Sequence, residues 1–349
     1  MEGTFMIKIK TILPVVAVVL TFFLVFAFLT ELLSPKYATE LVEGSMISQY
    51  YDEAGDHDVI FIGDCEVYAN VSPMEMYRYN GITAYVRGTP QQLLWQSYYI
   101  LKETLRYETP KVVVFNVNAM RHSEPVSEAY NRLTIDQMRW SKEKIDIINA
   151  SMTEEETFWS YVFPILRYHS RFDELTQEDF AYLFRRTNNT WNGHLINQEV
   201  NPVGTLPAKR VLSNYQFSDI CYEYLEKMVS LCKSNGIEMI LMKAPSLYPY
   251  WYDQYDAQIA DFANAHGIVY YDFTKAVDEI GLDYQVDTYD GGLHLNLNGA
   301  VKFSKYLSNI LADRHGVSDH RYDMVIADLY NAKLGEYDQA VLNGKVEIQ

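Results

Sequence analysis

Val59-Ile60-Phe61-Ile62-Gly63-Asp64-Cys65-Glu66 is a four-residue apolar run that ends abruptly in Gly-Asp-Cys. A run this short and continuously apolar reads as a strand buried on both faces, as in a parallel sheet covered by helices. The rhythm continues downstream. Pro73–Tyr79 and Gln91–Tyr107 carry helical patterns, the second with Leu93, Leu94, Ser97, Tyr98 and Leu101 on one side. Lys111–Val117 and Ile237–Met242 repeat the buried-strand pattern, with a helix expected over Asp219–Ser234 before the latter. A further helix over Asp256–His266 leads into the strand Ile268–Asp272. Helices and apolar strands in alternation predict an α/β fold with a central parallel sheet.

The residues at the two ends of this region suggest chemistry. Cys65 is a nucleophile-type residue at the end of the first strand, and Asp290-Gly291-Gly292-Leu293-His294-Leu295-Asn296 follows late in the chain. Acyl transfer needs an attacking side chain, a base that takes its proton and a carboxylate that orients the base. By itself, a cysteine after a strand reads as a small buried hydrophobe.

Four short blocks between residues 57 and 310 resemble the SGNH/GDSL hydrolase superfamily. They are Gly63-Asp64-Cys65, with cysteine where the family pattern has serine; Gly88 in Tyr85-Val86-Arg87-Gly88; Asn118 in Phe115-Asn116-Val117-Asn118; and His294-Leu295-Asn296, with Gly299 beyond. The resemblance implies a three-layer, flavodoxin-like fold. It implies Cys65 as nucleophile, His294 as base, and an oxyanion hole from the Cys65 and Gly88 N–H groups with the Asn118 amide. It implies hydrolysis or transfer of acyl groups without a cofactor. The family's acid stands three residues before the histidine, where this chain has Gly291. Asp290 and Asp287 are the candidates, and Asp290 is favoured because Gly291-Gly292 can absorb a residue of slack. A thiol beside an imidazole can form a thiolate–imidazolium pair, which suits transfer as well as hydrolysis. Glu66 opposes that pair if it points inward.

Asp64, Arg87, Lys243 and His169 are further candidates for substrate contact. Arg87 and Lys243 are charged residues at strand ends, and His169 lies in Leu166-Arg167-Tyr168-His169-Ser170-Arg171. Such clusters also cap helices or pair with local carboxylates. No Cys/His cluster has metal-ligand spacing, and no glycine-rich phosphate loop is present, so no metal or cofactor is expected.

Thr11 to Thr30 contains no charged residue, enough as a helix to cross a bilayer core of about 30 Å. Lys8 and Lys10 precede this run and Glu31 follows it, which predicts a single-pass anchor with residues 1–10 cytoplasmic and everything after about residue 35 outside. A cleaved signal peptide shares this pattern, but Leu32-Leu33-Ser34-Pro35-Lys36 has no small-x-small site. The expected plan is an anchor over 11–30, a linker and lead-in helix over 31–56, and an α/β domain over 57–316. A helical insertion is expected at about 120–210, and 317–349 forms a helical tail.

The net charge of -17 excludes nucleic acid as a partner and docking on anionic lipid through a basic patch. With 29 Tyr and 16 Phe, stacking on sugars is open, though core packing accounts for aromatics equally well. Only three cysteines are present, and Cys221 and Cys232 on one helix would stand roughly 16 Å apart, so no disulfide framework is expected. The anchored plan resembles the teichoic-acid D-alanylation type within the superfamily. This implies an esterase or O-acyltransferase acting on a cell-envelope polymer or glycan. The alternative is a non-catalytic envelope glycan-binding or assembly module that keeps the fold.

Overall fold

The computed structural model describes residues 2–35, 46–53, 55, 57–125, 127–184 and 190–344. The chain divides into two compact units, Met1–Tyr37 with Glu155–Thr187, and Ala38–Glu154 with Asn188–Gln349.

The larger unit is built on five parallel strands: β1 Val59–Gly63, β2 Ala84–Gly88, β3 Val112–Asn116, β4 Glu238–Lys243 and β5 Val269–Asp272. Their spatial order is β2-β1-β3-β4-β5. β1, β2 and β3 are buried along their whole length, which is why β1 and β3 read as unbroken apolar runs rather than as alternation. Successive residues still face opposite layers. Val59, Phe61, Val112 and Val114 join one core with the helices Cys65–Asn70 and Leu297–His315. Ile60, Ile62, Val113 and Phe115 join the other, with the helices Leu94–Thr104, Asp219–Ser234 and Asp253–His266. Helices therefore cover both faces of a parallel sheet in the flavodoxin-like order, as the sequence blocks implied. Connections leave β1 toward opposite neighbours, so the crevice beyond its C-terminal end is the topological switch point where such sheets bind ligands.

The lead-in helix is Met46–Glu53. Of the linker expected before it, residues 36–45 lie outside the described residues, as do 54 and 56. The tail forms the helix Met324–Leu342, whose Tyr330 stacks on Tyr77 at 4.4 Å between ring centroids.

The smaller unit contains the helix Glu2–Leu33, in which Leu13–Leu33 has a mean hydropathy of 2.7. This is one helix long and apolar enough to span a membrane. Short helices Phe158–Val162, Ile165–Tyr168 and Gln177–Tyr182 belong to the same unit. The middle of the stretch expected to be an insertion on the sheet thus groups with the N-terminal helix. The flanking helices Glu128–Ile135 and Lys142–Ser151 belong to the sheet-bearing unit.

Candidate active site

Cys65 is the first residue of its helix, with no loop residue between it and the Gly63-Asp64 turn. Asp64 caps that helix by accepting the Glu66 N–H at 3.2 Å. The sulfur is thereby set at the C-terminal edge of β1, partly exposed to the crevice.

The histidine arrives on the loop before the helix Leu297–His315. His294 Nδ1 donates to Asp290 Oδ2 at 2.6 Å, and its backbone N–H donates to Asp290 Oδ1 at 2.8 Å. With Nδ1 committed, Nε2 is left for the thiol, and the Cys65 and His294 side chains are near enough for each to act on the charge of the other. The intervening Gly291 and Gly292 both hold positive φ, 77° and 101°, a conformation glycine adopts freely. This left-handed pair gathers the four-residue spacing so that both Asp290 oxygens reach His294. Asp287 is occupied elsewhere: buried, it accepts from Lys302 Nζ at 2.6 Å and from the Asp283 N–H at 2.8 Å.

Several residues that the sequence did not single out fix this loop. The Thr288 hydroxyl donates to the His294 carbonyl and accepts the Gly292 N–H, each at 2.8 Å. Asn70, at the end of the Cys65 helix, accepts the Leu295 N–H at 2.8 Å and so ties nucleophile and base to one another. Tyr289 lies nearly parallel to the imidazole, 12° between planes at 5.7 Å. Asn296 caps the following helix through the Gly299 N–H, and a Cβ on Gly299 would lie 2.5 Å from the Asp287 carbonyl oxygen. The Asn and Gly of the last sequence block thus hold loop and helix together.

The intended oxyanion donors border the same edge. Gly88 ends β2 opposite Gly63, and a Cβ there would stand 2.5 Å from Val67 Cγ2 and 3.1 Å from the Asp64 and Gly63 carbonyls. Only a bare α-carbon lets β2 approach the Gly63-Asp64 turn this closely. Asn118 follows β3; its Nδ2 donates to Asp64 Oδ2 at 2.6 Å and its Oδ1 accepts from Arg121 at 3.2 Å. A carboxamide nitrogen has two N–H donors, so Asp64 takes one and one remains for an oxyanion.

Three of the expected substrate contacts are corrected by their surroundings. Asp64 is buried, and its oxygens are taken by Asn116, Asn118 and the Glu66 N–H. Arg87 is fully enclosed: it pairs with Glu103 at 3.0 Å, donates to Thr104 at 3.1 Å and lies 3.7 Å over the Tyr50 ring. It is a core cation, because its strand position points it into the helical layer and away from the crevice. Lys243 is likewise enclosed and binds both Glu66 oxygens, at 2.7 and 2.8 Å, together with Ser246. His169 lies in the smaller unit, exposed, with Nδ1 3.2 Å from the Leu166 carbonyl.

These pairings set the charges. Burial works against ionised Glu66, but Lys243, Asn116 and Ser246 outweigh it and hold its carboxyl below the usual range. Burial and the Glu66 charge push Asp64 up. Burial and Asp64 raise the Cys65 thiol, against the pull of His294. Burial opposes the His294 cation, yet a Cys65 thiolate and Asp290 together carry it well above the ordinary imidazole range. The two directions conflict, since the histidine's largest support is a thiolate that its own surroundings disfavour. The raised thiol is the direction that holds, because burial acts on the sulfur whatever the histidine does. Among the described residues no group of three or more His, Cys, Asp or Glu side chains could hold a metal.

Fold and site define a three-layer α/β protein with a Cys–His–Asp chain at its switch point, an architecture that agrees with the SGNH-like plan of the sequence blocks. No protein-family model matches the chain, and no curated protein matches it. Remote likenesses exist among solved structures. One is described as a lipolytic protein of the G-D-S-L family from Desulfitobacterium hafniense (12% identity, TM-score 0.37, covering 73% of this chain and 100% of that one). Another is described as an acylhydrolase from Bacteroides fragilis (13%, 0.35, 81% and 95%). A third is a GDSL-like lipase from Bacteroides thetaiotaomicron (13%, 0.36, 77% and 98%).

Proposed function

We propose that this chain is a membrane-anchored acyl-transfer enzyme of the SGNH type, an esterase or O-acyltransferase acting on ester-linked acyl groups of a cell-envelope polymer or glycan. The observation that carries the reading is the His294–Asp290 hydrogen bond, set beside Cys65 at the end of β1. In this reaction Cys65 Sγ attacks the ester carbonyl while His294 Nε2 takes the thiol proton. Asp290 stabilises the imidazolium, and the Asn118 amide with the Gly88 and Cys65 N–H groups receives the oxyanion. Collapse breaks the C–O bond, and His294 returns the proton to the departing alkoxide. Water or a sugar hydroxyl then attacks the thioester, again losing its proton to His294, and Cys65 leaves as thiol. The envelope substrate follows from the anchor and from the resemblance to the teichoic-acid D-alanylation type.

A non-catalytic, glycan-binding reading has one observation in its favour, the raised thiol. The two part on a single measurement. Full-length protein in detergent micelles is treated with an activated short-chain ester at neutral pH, and acylated peptides are counted by mass spectrometry. Catalysis predicts acylation at Cys65 well ahead of Cys221 and Cys232, slowed about 10²- to 10⁴-fold by His294→Ala. Acylation no faster than that of a free model thiol, or unchanged by His294→Ala, leaves only the binding module.

A further inference from the structure

Leu32 and Leu33, at the end of the apolar helix, are buried although most of the helix is exposed, and what covers this end belongs to segment 155–184. The Phe163 ring meets Phe26 edge-on, 78° between planes at 5.9 Å. Arg171 Nη1 donates to the Leu33 carbonyl at 2.7 Å, satisfying a backbone acceptor that a helix end otherwise leaves open. These two contacts fix the segment's position along the helix axis. The charge-free run Thr11–Thr30 centres near residue 20, so at about 1.5 Å per residue Phe26 stands roughly 8 Å beyond the centre and Leu33 roughly 19 Å. Half a bilayer core is about 15 Å. If the helix spans, Phe163 therefore lies at the depth of the acyl chains and Arg171 at the level of the headgroups.

The side chains of the segment fit those depths. Trp159, Leu166, Phe172, Phe180 and Phe184 are exposed, between 47% and 87% of their surface, within one short stretch. So much apolar surface in a cluster marks a contact. Arg171 adds pairs with Asp179 at 3.4 Å and Glu174 at 3.6 Å, polar groups gathered at the level of the helix end. Its helical turns satisfy much of their own backbone, as a segment against lipid must.

We propose that residues 155–184 are a second membrane element: a monotopic wedge that lies in the leaflet at the C-terminal end of the Glu2–Leu33 helix and is covered by lipid. The occupant is the bilayer, because a bilayer that surrounds the spanning helix also surrounds whatever packs on it at the same depth. Aromatic residues at the boundary and arginine at the headgroups are the arrangement of an interfacial anchor. The inference rests on Leu13–Leu33 being the span.

Full-length protein carrying Cys65→Ser is labelled with an environment-sensitive fluorophore on one introduced cysteine, Val19→Cys, Phe172→Cys, Phe184→Cys or Asp313→Cys. It is then reconstituted into phosphatidylcholine–phosphatidylglycerol vesicles. Spin-labelled lipids should quench positions 19, 172 and 184, with iodide quenching there several-fold weaker than at exposed position 313. Iodide quenching at 172 and 184 equal to that at 313, with 19 still quenched by lipid, overturns the wedge and leaves the span standing. Labels at 172 and 184 shielded from iodide and lipid alike mean that protein, such as a second copy, covers the segment, which also overturns it. Loss of lipid quenching at 19 overturns the span and the wedge together.

Discussion

Asp64 and Glu66 set two buried carboxylates on either side of Cys65, and they meet opposite fates. Lys243 holds the Glu66 carboxyl below its usual range; burial and the Glu66 charge push Asp64 up, and burial together with the Asp64 carboxylate raises the Cys65 thiol. The sign of the effect is definite: less charge at position 64 lowers the thiol's pKa. Asp64→Asn should therefore move the pH profile of Cys65 alkylation toward lower pH, with circular dichroism confirming an intact fold. An unmoved or opposite profile removes Asp64 as the governing charge. The same residues mark the limit of what the sequence reveals at this scale. Cys65, Asp290 and His294 could be found because loop chemistry and spacing name them. Arg87 and Lys243 looked like substrate contacts because a charge beside a motif is visible, whereas a partner such as Glu66, 177 residues from Lys243, is not. Thr288 and Asn70 carry no local signal at all; their work is done by single hydrogen bonds across the fold.

Among the elements, the strands were the most legible. β1 and β3 are apolar on both faces, and no helix of that length would be, so their apolar runs alone placed them. The helix Asp219–Ser234 falls where its pattern put it, with Cys221 and Cys232 buried on one side and unbridged. The stretch 120–210 reads in the sequence only as a helical insertion between strands. Its contacts with Phe26 and Leu33, more than 130 positions away, carry no local signal. Gly88 shows how an element can be placed by the absence of a side chain. Gly88→Ala should cost about 1–3 kcal/mol in urea unfolding through overpacking against Val67. It should also slow acylation of Cys65, since relief of that clash moves β2 away from the turn that carries the nucleophile. A fully stable and active Gly88→Ala protein would show that this close approach is not needed.

For the whole molecule, the charge-free helix and the lysines before it predict one crossing, with the sheet-bearing unit on the far side of the cytoplasmic membrane. In intact bacterial cells expressing the full chain, externally added protease should degrade an epitope at the C-terminus and spare one at the N-terminus. The protein should also stay with membranes through alkaline carbonate. A C-terminal epitope protected until the cells are lysed would contradict that topology. The predicted placement outside the cytoplasm would give the guarded sulfur a second meaning. Peroxide and other oxidants attack thiolates, and sulfenic acid is rescued when a neighbouring thiol condenses with it. Cys221 and Cys232 are buried in the opposite layer of the sheet and offer Cys65 no such rescue. A thiol whose pKa is raised is slower to oxidise, so the burial and charge that delay the nucleophile also lengthen its working life.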